Sequence, residues 1–308
     1  MAIVKVMMMQ KNEGPRLARW LTHYGQIFGM ENLLIFDNGS SDKFTISLLN
    51  EAEYRGAHVR RDLNRPVDFQ MKGQHYNNVI ASLDHDEEYD FALPVDCDET
   101  LCVFTEGGLS LDARDIHAEF ERLKSYRGAF SIGLSLFNVP NREGWYAPNR
   151  FFPKGFVPAR CGARIDNGHH FPTSSEVPES FLTRFTYLHN HHRPYREMIR
   201  NARAKLALEV ENVTDKELLR EHARRALPGG HLVHLLLGTQ ADYYTMYKNE
   251  VQLYFQGNDV LLQEPGKKNV RYWDAKRYRE CHPDTVVYEA GLLSHYLTYG
   301  APEGRELP

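Results

Sequence analysis

The sequence predicts an α/β protein with a mostly parallel sheet and a helical C-terminal extension. Three observations carry that expectation. Apolar, β-prone runs occupy residues 2–9, 33–36, 57–60 and 91–95; helical patterns lie between successive runs; and after about Pro194 the pattern turns mostly helical. Strands joined through helices need crossover connections, which favour parallel pairing.

Residues 2–9 are apolar enough for a buried first strand. Lys11-Asn12-Glu13-Gly14-Pro15 reads as a turn, with Pro15 at the first helical position, where its missing N–H is not needed. Leu17, Trp20, Leu21, Tyr24, Ile27 and Phe28 repeat at helical spacing, and Gly29 ends the helix. The second strand, residues 33–36, breaks into Asp37-Asn38-Gly39-Ser40-Ser41-Asp42, a turn able to cap a helix that runs to about Arg55 and stops at Gly56. Residues 57–60 give a third strand, and Tyr76, Val79, Ile80 and Leu83 mark a third helix. Residues 91–95 form the fourth strand, in which Pro94 is awkward for a central position. Ile116, Phe120 and Leu123 suggest a helix, and Phe130, Ile132, Leu134 and Leu136 alternate as one half-buried strand. Residues 138–180, rich in Pro, Gly, Asn and aromatics, read as a long loop segment, and residues 200–225 as a charged, solvated helical face.

A chain of 308 residues can bury a sizeable core, divided here into a domain at 1–205 and a helical region at 206–308. The net charge of −4 gives no support to nucleic acid as a partner. Cys97, Cys102, Cys161 and Cys281 show no zinc spacing, so a reducing compartment is expected. With no signal-peptide pattern and no run long enough to span a bilayer, the expected location is the cytoplasm, with at most peripheral contact at the inner face of the membrane. The absence of GxGxxG and Walker A patterns weakens dinucleotide and P-loop readings.

Ligands of open parallel α/β sheets bind at the carboxyl ends of the strands. Three polar clusters are expected on that edge: Asn12-Glu13, Asp37-Asn38 and Asp96-Cys97-Asp98. Asp96 and Asp98, two apart, share one face of an extended chain. Mg²⁺ and Mn²⁺ take carboxylate oxygens together with substrate phosphates, which makes both candidate metal ligands. An acidic turn is the plainer explanation of one such cluster; three on one edge favour a site. His169, His170, His189, His191 and His192 are candidates for an additional imidazole ligand.

These residues together resemble bacterial glycosyltransferases of the family-2 type. The resemblance rests on Lys11-Asn12-Glu13, Trp20, His23, Gly29 and Asp37-Asn38-Gly39-Ser40-Ser41-Asp42, then Asp96-Cys97-Asp98-Glu99, and spans roughly residues 3–205. A further family element is matched in part by residues 189–198, with Asn190 and Pro194 departing from it. The tail, Cys281-His282-Pro283-Asp284 and then residues 290–305, is similar to a segment at the ends of surface-polysaccharide glycosyltransferases. The resemblance implies a GT-A fold, a nucleotide-diphosphate sugar donor (a UDP-sugar), a glycan or lipid-linked glycan acceptor, and Mn²⁺ or Mg²⁺. It further implies that Glu13 and Asp37 hold base and ribose, that Lys72 lies near the donor, and that Asp96 and Asp98 hold ribose and metal. His189 fits the metal-ligand register best, with His169-His170 a rival pair. Inverting transfer needs a carboxylate to take the acceptor proton; of Asp166, Glu176 and Glu179, Asp166 is preferred for its polar surroundings. Two other functions compete. A nucleotidyltransferase would want a Gly-rich, Arg-containing loop after the first strand, which Asn12-Glu13-Gly14-Pro15 is not. A non-catalytic carbohydrate-binding or scaffolding protein would not need Asp96 and Asp98.

Overall fold

The computed structural model describes residues 1–256 and 259–307. The first half alternates strands and helices: β1 (Val4–Gln10), α1 (Pro15–Phe28), β2 (Leu33–Asp37), α2 (Lys43–Tyr54), β3 (His58–Arg60), α3 (Pro66–Gln70), α4 (Lys72–Asp86) and β4 (Phe91–Pro94). β5 (Glu99–Thr105), β6 (Gly108–Ser110), α5 (Ala113–Leu123), β7 (Phe130–Ile132), β8 (Ser135–Asn138), β9 (Trp145–Asn149), β10 (Lys154–Pro158), β11 (Phe181–Leu182) and β12 (Phe185–His189) follow. The remainder holds α6 (Tyr195–Leu206), α7 (Lys216–Arg224), α8 (Val233–Leu237), α9 (Gln240–Tyr244), β13 (Gln252–Gln256), β14 (Asp259–Gln263), β15 (Arg271–Tyr272), α10 (Ala275–Cys281) and α11 (Leu292–His295).

The expected class, α/β, holds, but the sheets are mixed rather than mostly parallel. One has the order β11-β7-β10-β4-β1-β2-β3, and only its β4-β1-β2-β3 portion is continuously parallel. β10 runs antiparallel to both β4 and β7. The other, β15-β14-β13-β9-β8-β12-β5-β6, is antiparallel except between β8 and β12. The strand–helix alternation occupies only the first part of the chain, and beyond it only β7–β11 and β8–β12 pair in parallel among the described residues.

β1 is buried throughout because both faces of its sheet are covered. Val4, Val6 and Met8 meet α1, α2 and α5 residues such as Leu17, Leu49 and Phe120; Met7 and Met9 meet Tyr76, Ile80 and Leu83 of α4. That two-sided burial is why the run is continuously apolar rather than alternating. Phe120 contacts the rings of Phe28, Phe91, Phe156 and Phe185, so truncating it to alanine costs about 3–5 kcal/mol. Pro94 is tolerated because it closes β4. Val95 N donates to Met7 on one side, and on the other the ladder to β10 covers only Phe91 and Ala92, so the missing N–H of Pro94 breaks no bond.

Three local expectations change. The alternating run at 130–136 is two strands, β7 in one sheet and β8 in the other, with the switch at Gly133; a Cβ there would stand 2.9 Å from Leu182 Cδ1. The alternation persisted through the switch, so nothing in its periodicity revealed it. The loop-rich 138–180 segment contains β9 and β10, both too short to register among the prolines and glycines. Beyond Pro194 the chain is not mostly helical throughout, because β13, β14 and β15 extend the second sheet. Leu253, Val260, Leu262, Trp273, Leu293 and Tyr296 share a core there with Phe104, Leu136 and Leu188.

Candidate active site

A cleft of about 650 Å³ opens at the carboxyl edge of β1 and β4, between the strand ends and a wall built from α6 and α8. The chain reverses beyond β4 through Asp96-Cys97-Asp98, with Glu99 N donating to the Asp96 carbonyl and the Glu99 carboxylate accepting from Asp96 N at 2.9 Å. β5 then returns alongside β12 in a register that sets His189 opposite Glu99, and Asn190 N donates to the Asp98 carbonyl. Tyr24 and His23 of α1 reach across to the same strand: Tyr24 Oη donates to Glu99 O and accepts from Leu101 N, while His23 Nε2 meets Leu101 O at 3.0 Å. The acidic turn is therefore braced from three sides.

Asp96 is held between two lysines, with Lys72 Nζ 2.8 Å from one carboxylate oxygen and Lys154 Nζ 2.8 Å from the other. Lys154 also pairs with the fully buried Glu99 at 3.0 Å. Burial alone would raise the Asp96 carboxyl, but Lys154, Lys72 and His169 hold it well below the usual carboxylate range. Asp98 faces His189 Nε2 at 3.4 Å. Burial opposes its charge, and the imidazole overrides burial to bring its pKa to about 2; reciprocally, burial pulls His189 down, but Asp98 and Glu99 raise it overall. His191 is lowered to about 4, chiefly by burial and then by His189, so at neutral pH it is an uncharged imidazole.

Asp98, His189 and His191 each offer a ligand atom, all within 4.8 Å of one another. Nδ1 of His189 is buried with no hydrogen-bond partner among the described residues. One carboxylate with two imidazoles suits Mn²⁺ better than Mg²⁺, which prefers an all-oxygen octahedron. Both oxygens of Asp96, by contrast, are already taken by ammonium groups.

Of the residues singled out from sequence, Glu13, Lys72, Asp96, Asp98 and His189 line the cleft together, with His170, His191 and His192. The others are not among the residues that line it. Asn12, at φ +55°, accepts from Ser41 N and Asp42 N and pins the turn after β2. Asp37 is buried, accepting from Gln10 Nε2 at 2.7 Å and from Ser40. Asp166 accepts from Gly168 N and Phe171 N, folding the turn that carries His169 and His170. His169, fully buried at φ +57°, lies over Tyr76, and neither ring nitrogen has a hydrogen-bond partner among the described residues. Glu176 pairs with Arg127.

Sequence reasoning missed Lys154, Arg193, Lys205, His231 and His234, all of which line the cleft. Arg193 ties Glu13 to Glu197 through contacts of 3.0 and 2.7 Å. Arg193 stands within the partly matched 189–198 stretch, where no site role was assigned to it; Lys154, Lys205, His231 and His234 carry no local pattern and reach the cleft from β10, α6 and the segment at α8. No protein-family model matches the chain, and no curated protein matches it.

Proposed function

We propose that the chain is a metal-dependent glycosyltransferase of GT-A type, moving a sugar from a UDP-sugar donor to a glycan or lipid-linked glycan acceptor with inversion. The observation that carries this reading is the grouping of Asp98, His189 and His191 beside Lys72 and Lys154 at the carboxyl edge of parallel strands. A metal bound there would supply positive charge to the leaving diphosphate. The protein's own groups support the same chemistry. Lys72 and Lys154 converge on Asp96 and offer ammonium donors at the floor of the cleft. The Glu13–Arg193 pair fixes the wall beside them.

No described helix is long and apolar enough to cross a membrane. A cytoplasmic protein with at most peripheral, salt-sensitive contact with anionic lipid is the location we propose. Liposome flotation at low and high salt tests it, and binding that survives high salt would exclude that picture.

The function is tested by screening nucleotide-sugars for Mn²⁺-dependent hydrolysis or transfer. Turnover that requires the metal and is lost in Asp98→Asn, with the fold intact by circular dichroism, is the expected result. A protein that neither binds nor turns over any nucleotide-sugar in the presence of Mn²⁺ would end the proposal.

A further inference from the structure

The wall facing the acidic turn has a charge pattern that the donor and metal do not use. α8 is anchored by Val233 and Leu235 in a helical core with Met198, Ala202 and Leu206 of α6. His231 and His234, three residues apart across the start of α8, share the side that borders the cleft. His234 Nδ1 is engaged by the His231 carbonyl, which leaves Nε2 for a ligand. Lys205, in the last turn of α6, lines the same wall and has no carboxylate within 4.0 Å among the described residues.

The carboxylates of the cleft lining are already matched: Glu13 by Arg193, Asp96 by Lys72 and Lys154, and Asp98 by His189. None is left to balance Lys205. Lys205, His231 and His234 are exposed at the rim of the cleft, where a cation with no carboxylate beside it still draws anions into the concave surface. Its histidine neighbours add N–H donors suited to oxyanions.

We propose that Lys205, His231 and His234 form an oxyanion subsite distinct from the donor end, and that the acceptor sugar accordingly carries a phosphate ester or a uronate carboxylate. The acceptor assignment rests on the glycosyltransferase reading, whereas the subsite itself does not. The subsite belongs to the end of α6, the turn Gly230–Leu232 and α8, whereas Lys72 and Lys154, on α4 and β10, are already paired with Asp96 and Glu99.

The test follows histidine ring resonances of the full chain by NMR, with His231 and His234 assigned through His231→Gln and His234→Gln. Glucose 6-phosphate, glucuronic acid and glucose are titrated separately, with and without saturating UDP and diamagnetic Mg²⁺, because Mn²⁺ would broaden the nearby histidine resonances. Saturable shifts of His231 and His234 with one or both anionic sugars, absent with glucose, are expected, and the two anionic arms tell phosphate from carboxylate. Lys205→Gln is expected to weaken that binding roughly tenfold, the scale of one charge-assisted contact. Equal shifts with glucose, shifts confined to His189 and His191, loss of the response once UDP and Mg²⁺ are bound, or undiminished binding in Lys205→Gln would each overturn the subsite. If UDP fails to bind with Mn²⁺ in titration calorimetry while glucose 6-phosphate still reaches His231 and His234, the subsite stands and the donor reading falls.

Discussion

Replacing Lys154 by methionine isolates the electrostatics of the acidic turn. The ammonium sits 2.8 Å from Asp96 and 3.0 Å from Glu99, and its side chain is 8% exposed. At an effective dielectric constant of about 20, each contact carries roughly 6 kcal/mol of gross attraction. Desolvation cancels much of that, and breaking a buried pair by removing one partner costs about 3–5 kcal/mol net. The two carboxylates are left in different positions. Asp96 keeps Lys72, whereas Glu99 keeps only the Asp96 N–H and His189 at 3.7 Å. Lys72→Met removes one contact from a carboxylate that Lys154 still neutralises, so its cost should be smaller. In thermal unfolding, Lys154→Met should lower Tm by on the order of 10 °C, and Lys72→Met by clearly less. The acid limb should change as well. Asp96 is held below its unfolded value, so it contributes stability above pH of about 4 that is lost as pH falls through the lower folded pKa. Without Lys154 that contribution shrinks, and the variant should lose less on acidification than the parent does. Equal losses for the two lysine variants, or an unchanged acid limb, would refute the assignment of Lys154 as the group that neutralises the turn.

Other perturbations probe neighbouring features. Asp98→Asn should weaken Mn²⁺ binding by one to two orders of magnitude, as titration calorimetry would show; undiminished affinity would remove Asp98 from the ligand set. Burial, then Lys72, holds His169 well below the usual imidazole range, so unfolding takes up a proton as pH drops below about 6.5 and stability falls by at most about 1.4 kcal/mol per pH unit from this group. His169→Phe should flatten that dependence in urea melts, and an identical slope would show that His169 titrates normally. Gly73→Ala places a Cβ 2.9 Å from Ile165 O and Asn167 N, so hydrogen exchange across residues 165–170 should accelerate, with unaltered protection counting against close docking of that loop on α4.

The parallel part of the fold was legible because helix and strand periodicities alternate cleanly through residue 95, and strand ends dictate where polar residues gather. Asp96 and Asp98 follow from that logic, and Lys72 and His189 from the resemblance. Lys154 did not, because β10 enters the sheet antiparallel from a segment whose composition looks like loop. Asp37, Asn12 and Asp166 show the converse limit. Each is a turn-forming residue type in a polar cluster, and the structure has each bonded to nearby backbone or side-chain donors rather than lining the cleft. Sequence pattern does not distinguish a carboxylate that folds a loop from one that faces a ligand. His231 and His234 became visible only once α8 was seen to close the cleft.

The hairpin of β13 and β14 has a further consequence for handling the protein. β13 covers the side of β9 that β8 leaves open, and the core beneath it is shared with residues from β5 and β8. A chain cut after residue 205 would leave β9 as a bare edge with unpaired amides, beside apolar surface from Leu134 and Leu136 that has lost its cover. Such a fragment should self-associate through strand addition, and apparent inactivity of a shortened protein would then report aggregation rather than loss of a catalytic group.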